Sequence, residues 1–149
     1  MSYSQYFTNA ISHTLPSTCY PDTTPPSGGA IASIANNTDG SIRVTWPAAS
    51  DSSVPIRYRV FLQASTATGL FNSLNQVFEG PGLLFDIYRD ASGNPITNGV
   101  TYYAGVRAVD AVGNVNTNTT SLSVLATGIS YDNLAGLINT VKALILTRS

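Results

Sequence analysis

The residues able to do nucleophilic, acid–base or metal chemistry are few and scattered in this 149-residue chain. The one histidine, His13, and the one cysteine, Cys19, both fall in the first 20 residues, ahead of any segment with a clear folding pattern. A Cys–His pair can form an activated nucleophile, but such chemistry needs both groups held by a rigid frame. The carboxylates Asp51, Glu79, Asp86, Asp90 and Asp110 belong to different strands and loops. They form no calcium loop of regular spacing, and no set of clustered zinc ligands exists. Gly80-Pro81-Gly82 reads as a turn and not as a phosphate cradle. The sequence therefore predicts no catalytic residues, no cofactor and no metal, and the chain is expected not to be an enzyme.

Composition points the same way. Charged residues make up 10% of the chain, with 7 Lys+Arg against 8 Asp+Glu and a net charge of -1. Soluble proteins average about 25% charged residues. The missing charge is replaced by 17 Ser, 17 Thr and 12 Asn. No basic cluster is present, and the first basic side chain other than His13 is Arg43, so nucleic acid is excluded as a partner. Hydrophobic residues reach 43%, enough for a core and unlike a disordered chain. A lone cysteine rules out a disulfide-stapled scaffold. No basic start with an apolar run marks a secretory signal, and no apolar stretch approaches a membrane span of about 18 residues. The expectation is a protein made and kept in a cytoplasm, with no membrane partner.

The elements follow from periodicity. Residues 1–27 form a polar N-terminal arm with scattered aromatics, Tyr3, Tyr6, Phe7 and Tyr20, closed by the Pro-rich linker PDTTPPSGG. Residues 28–127 alternate short β-rich runs with turn signals at roughly ten-residue spacing. Seven strands are expected: AIASIA, SIRVTW, RYRVFLQA, QVFEG, LLFDIY, VTYYAGVRAVD and TSLSVLA. In the second, Ile42, Val44 and Trp46 share one face. In the third, Tyr58, Val60 and Leu62 face one side, with Arg57, Arg59 and Phe61 on the other. In the sixth, Tyr102, Ala104, Val106 and Ala108 oppose Tyr103, Gly105, Arg107 and Val109.

Residues 128–149 switch to a helical period. Ser130 suits an N-cap, and Asp132 lies in the first turn, where the helix dipole favours an anion. Leu134, Leu137, Ile138, Val141, Leu144 and Ile145 form an apolar stripe at i, i+3, i+4, i+7 spacing. The stripe could fold back on its own sandwich or pack against another chain. A sandwich already buries its two inner faces, which favours packing between chains and a homo-oligomer held by this helix.

The region 22–127 resembles the fibronectin type III family. The likeness rests on DTTPP, on SIRVTW with its tryptophan, on YRVFLQA, and on ITNGVTYYAGVRAVDAVGN, where Ile96 stands six before Tyr102. It implies an all-β, seven-stranded β-sandwich with Trp46 and Tyr58 in the core. It also implies that Tyr102 is a corner tyrosine, its hydroxyl bonded to upstream backbone. The segment Arg89–Pro95 is longer than the family's usual turn and predicts a protruding loop.

Three contact regions are then expected: a sheet face bearing Arg57, Arg59, Phe61, Tyr103 and Arg107, the aromatic arm, and the apolar helix. Arg and Tyr are enriched at interfaces. The leading functional expectation is a bacteriophage virion component, a capsid decoration or tail/fibre protein whose partners are other structural proteins. In this reading the arm or helix anchors the molecule and the sandwich projects. The alternatives are a carbohydrate- or cell-surface-binding module, with host glycan as partner, and an accessory domain of a secreted, extracellular protein.

Overall fold

Alternating apolar residues and glycine-bearing turns build nine antiparallel strands among the described residues. The computed structural model describes residues 21–127 and 138–145. The strands are β1 (Ser27–Gly28), β2 (Ser33–Asn36), β3 (Ile42–Thr45), β4 (Ala49–Ser50), β5 (Arg57–Ala64), β6 (Gln76–Gly80), β7 (Leu84–Ile87), β8 (Thr101–Val109) and β9 (Ser121–Leu125). They form a three-stranded sheet β2-β3-β7, a four-stranded sheet β6-β5-β8-β9 and a two-stranded ribbon β1-β4. Residues 138–145 form a helix, α1.

The strand count exceeds the expected seven by β1 and β4, each two residues long. They lie where sequence reading places linker and loop. Ser27 and Gly28 pair with Ser50 and Ala49, too short a contact to leave a periodic signal. The first expected strand also shifts, from Ala30–Ala35 to Ser33–Asn36. Ahead of it, Ile31 is buried and the Ala32 N–H donates to the Thr45 carbonyl at 2.8 Å.

The inner faces of both larger sheets meet in one core. Ile42 and Val44 of β3 and Ile87 of β7 pack with Tyr58, Val60 and Leu62 of β5 and Ala104, Val106 and Ala108 of β8. The longest pairing is β5 with β8, running from Arg57 opposite Val109 to Ala64 opposite Tyr102. Trp46 follows β3 into the core, its ring centroid 5.7 Å from that of Tyr58. The Tyr58 hydroxyl accepts the Ala49 N–H at 2.8 Å and so ties the β4 ribbon to the core.

Tyr102 is buried, and its hydroxyl accepts the Thr97 N–H at 2.9 Å, five residues upstream. Substituting Tyr102→Phe leaves that donor without its acceptor. The expected loss is about 1–3 kcal/mol of unfolding free energy, read by chemical denaturation. An unchanged midpoint would show that the bond carries no stability.

The corner Arg89–Pro95 is an ordered turn. The Asp90 N–H donates to the Asn94 carbonyl at 2.8 Å and the Gly93 N–H to the Asp90 carbonyl at 3.0 Å. Gly93 holds φ at +87°, a region that favours glycine. The Asp90 carboxylate accepts the N–H groups of Ser92 and Asn94, each at 2.9 Å. The loop 110–114 repeats this pattern. Asp110 accepts the N–H groups of Val112 and Asn114 at 3.0 and 2.9 Å, and Gly113 has φ +101°. The sequences DASGN and DAVGN thus encode the same turn twice, a type I turn followed by a left-handed glycine.

Candidate functional site

The expected Arg/Tyr sheet face is largely occupied by the chain itself. The connection after β5 carries Leu70 and Phe71 back across the outer side of β5 and β8. Leu70 is buried, and the Phe71 ring meets Phe61 edge-on at 5.4 Å. The Arg107 guanidinium lies 4.2 Å from the Phe71 ring centroid, and its Nε donates to the Asn118 carbonyl at 3.0 Å. Burial pulls the Arg107 pKa below its ordinary value. Phe61, expected to be outward and open, is 5% exposed. It does lie outside the central core, but beneath Phe71.

The strap is fixed at its end by Asn75. The Nδ2 of Asn75 donates to Gln63 Oε1 at 2.8 Å and to the carbonyls of Gly69 and Leu70 at 3.0 and 3.2 Å. The other two arginines of the face share one carboxylate. Arg59 Nε donates to Glu79 Oε1 at 2.6 Å, and Arg57 Nε lies 3.7 Å from Oε2. These ion pairs are partly exposed and contribute little to stability. Tyr103 is half-buried. The sequence signal for the strap is the apolar pair Leu70-Phe71 inside a polar connection, matched by Gly105 in mid-strand.

A cluster that sequence spacing did not reveal lies at the loop end of the sandwich. Carboxylate oxygens of Asp22, Asp51 and Asp110 all fall within 4.8 Å of one another. Asp22 comes from the expected linker, Asp51 from the loop after β4 and Asp110 from the repeated turn. Each has a defined role as a loop staple. The Ser53 hydroxyl and the Thr24 N–H donate to Asp22. The Ser53 N–H donates to Asp51 at 2.7 Å. Asn114 binds Asp110 through its side chain at 2.8 Å and reaches the Asp22 carbonyl at 2.8 Å. Three such oxygens could supply ligands to a hard cation, yet all three carboxylates already serve these hydrogen bonds.

Those bonds set the acid response. Hydrogen bonds from Ser53 and then Thr24 hold the Asp22 carboxyl below its ordinary pKa. For Asp110, burial opposes ionisation, but the bonds from Asn114, Val112 and Gly113 outweigh it and lower the pKa. Asp86, held by Arg43, and Asp39, held by Ser41, are lowered too. The unfolded chain therefore takes up protons first as pH falls. Their stabilisation is complete above the ordinary carboxylate range and is lost below about pH 4. The thermal midpoint is expected to stay level from neutrality to about pH 5 and to drop below about pH 4. A drop that is already complete at pH 5 would contradict these assignments.

Among the described residues, no other surface brings a nucleophile together with a base. The groove between the β6 and β7 edges, about 400 Å³, is lined by Val77, Phe85, Asp86, Tyr88 and Arg89 among others. It contains no nucleophile paired with a base. Tyr88 is exposed, with its hydroxyl donated to Asp39 at 2.9 Å. Among the described residues no helix is long and apolar enough to cross a membrane.

The third expected contact region is seen in part. All eight described residues of α1 are exposed. Ile138, Val141, Leu144 and Ile145 expose between 47% and 63% of their surface. Leu134 and Leu137 lie outside the described residues, as do His13, Cys19 and the arm residues Tyr3, Tyr6 and Phe7.

No protein-family model and no curated protein sequence matches the chain. Solved structures do. The sixth fibronectin type III domain of human fibronectin type III domain containing protein 3 aligns with a TM-score of 0.50 at 17% identity. The alignment covers 73% of this chain and 92% of that one. The twitchin kinase region of C. elegans aligns at 0.49 and 18% identity, over 72% of this chain and 17% of that one. The spore cortex lytic enzyme SleM of Clostridium perfringens aligns at 0.45 and 18%, over 70% and 29%. At these identities the first alignment speaks to fold alone, and the fold is fibronectin type III-like.

Proposed function

We propose that the chain is a non-enzymatic structural and interaction protein, a component of a bacteriophage particle that projects its sandwich outward and self-associates through its C-terminal helix. The observation that carries this reading is the exposure of Ile138, Val141 and Ile145 on one helix. An amphipathic helix gains most of its stability from packing of its apolar face. The low charge of the chain and a sheet face occupied by its own strap suit a passive outer module that docks through its ends. The expected N-terminal arm, residues 1–27 with Tyr3, Tyr6 and Phe7, is a second anchor in this reading.

Density-gradient fractionation of lysates in which particles assemble tests the proposal. The wild-type chain is expected to migrate with the particles, and a Val141→Glu variant to remain at the top of the gradient. A wild-type chain found only as a free species would overturn the particle assignment.

A further inference from the structure

We infer that Asn98-Gly99 is a latent self-modification site, at which the Asn98 carboxamide is converted to an aspartyl or isoaspartyl group, and that the Ala126 carbonyl holds this site closed in the folded chain. It is the one Asn-Gly pair in the sequence.

The pair sits in the tight turn that leads into β8. The Val100 N–H donates to the Thr97 carbonyl at 3.3 Å, and Gly99 holds φ at +86°, as the third residue of such a turn requires. A Cβ at Gly99 would meet nothing within 4 Å, so backbone conformation and not crowding calls for glycine there. With no side chain on the following residue, its nitrogen is open to the asparagine carboxamide. Asn98 is exposed, and its carboxamide meets no described donor or acceptor. Comparable pairs elsewhere are engaged. Asp39, ahead of Gly40, accepts the Ser41 N–H at 3.0 Å, the Ser41 hydroxyl at 2.6 Å and the Tyr88 hydroxyl at 2.9 Å. Asn72, ahead of Ser73, accepts the Leu74 N–H at 2.9 Å.

The nucleophile is the Gly99 backbone nitrogen. After losing its proton to solvent, it forms a bond to the side-chain carbonyl carbon of Asn98. The bond from that carbon to the amide nitrogen breaks, and ammonia leaves with a proton taken from water. Solvent water then opens the cyclic imide at either carbonyl, and no oxidant or reductant takes part. In the folded chain this nitrogen is committed. Its N–H donates to the Ala126 carbonyl at 2.7 Å, and Ala126 is 1% exposed. The Ala126 N–H donates in turn to the Val100 carbonyl at 2.9 Å, which carries the β8–β9 pairing past the end of both strands. The chemistry therefore waits on local opening where the chain leaves β9. The isoaspartyl product adds a backbone carbon between positions 98 and 99. Gly99 then falls out of register with Ala126, and the opening becomes permanent.

Peptide mapping by mass spectrometry tests this on the full chain, incubated in mildly alkaline buffer with and without concentrated urea. Conversion replaces an amino group by a hydroxyl, and the aspartyl and isoaspartyl peptides separate by chromatography. Position 98 is expected to convert about tenfold or more slowly in the folded chain than in urea, because only the opened fraction reacts. Protection of the Gly99 N–H against hydrogen exchange should show a matching factor. Asn98→Gln is expected to abolish the conversion and leave the thermal midpoint unchanged. The purified isoaspartyl form should lose exchange protection at Gly99 and Ala126 while β5 stays protected. Equal rates in buffer and urea would overturn closure by Ala126. Faster conversion at Asn72 than at Asn98 in the folded chain would overturn the choice of site. Full protection of Gly99 in the isoaspartyl form would overturn the loss of register.

Discussion

Replacing Trp46 by alanine is expected to remove about 3–5 kcal/mol of unfolding free energy. The residue is 3% exposed and stands where β3 leaves its sheet, against Tyr58 of the facing sheet. Truncation opens a cavity between the sheets and strips one side from the Tyr58 ring, whose hydroxyl secures Ala49. A domain of this size commands about 5–15 kcal/mol in total, so the variant should melt far earlier and be partly unfolded at 37 °C. Trp46→Phe separates two effects. The indole N–H is buried with no acceptor among the described residues, and an unsatisfied buried donor is itself costly. Phenylalanine loses volume but removes that donor, so its loss should be well under half of the alanine loss. Equal losses for both variants would show that the site requires the indole itself and not the volume of an aromatic ring.

The second large effect is expected at Gly105. An added Cβ there would stand 2.4 and 2.7 Å from two Phe71 ring atoms and 3.2 Å from Leu70. Alanine therefore cannot share the sheet surface with the strap as it now lies. Either Phe71 lifts, which uncovers Phe61 and frees Arg107, or the strand shifts. The expected loss is about 1–3 kcal/mol, although alanine in a strand is otherwise favoured over glycine by about 0.5–1 kcal/mol. A double-mutant cycle isolates the contact. In a Phe71→Ala background, Gly105→Ala should become neutral or stabilising. If the loss persists without the Phe71 ring, the strap is not what requires glycine at this position.

Legibility divided along physical lines. Period-two patterning exposed the long strands: RYRVFLQA matches β5 residue for residue, and QVFEG matches β6. Both are set by alternation that a single window contains. The ribbon β1-β4 was invisible because two residues carry no period. The strap was missed because its partners are remote. Phe71 pairs with Phe61, Gly105 and Arg107, and nothing local in the connection announces the site that receives it. For the same reason Phe61 looked outward and open, since alternation gives the side of the sheet but not what covers it. The Asp22, Asp51 and Asp110 cluster joins three segments far apart in sequence. Its one readable clue was the repetition of DASGN as DAVGN, which marks a turn and says nothing of the neighbours Asp110 meets. The apolar stripe on α1 was legible throughout 138–145, because a helix face is written in its own spacing.

The central claim is that the protein works by association through this helix, and amide hydrogen exchange across residues 138–145 tests it most directly. An amphipathic helix draws most of its protection from what packs on its apolar face. The account predicts slow exchange at high protein concentration, fast exchange on dilution, and fast exchange at every concentration in Ile145→Glu, with β5 and β8 protected throughout. Fast exchange over 138–145 in the wild-type chain at all concentrations would contradict it.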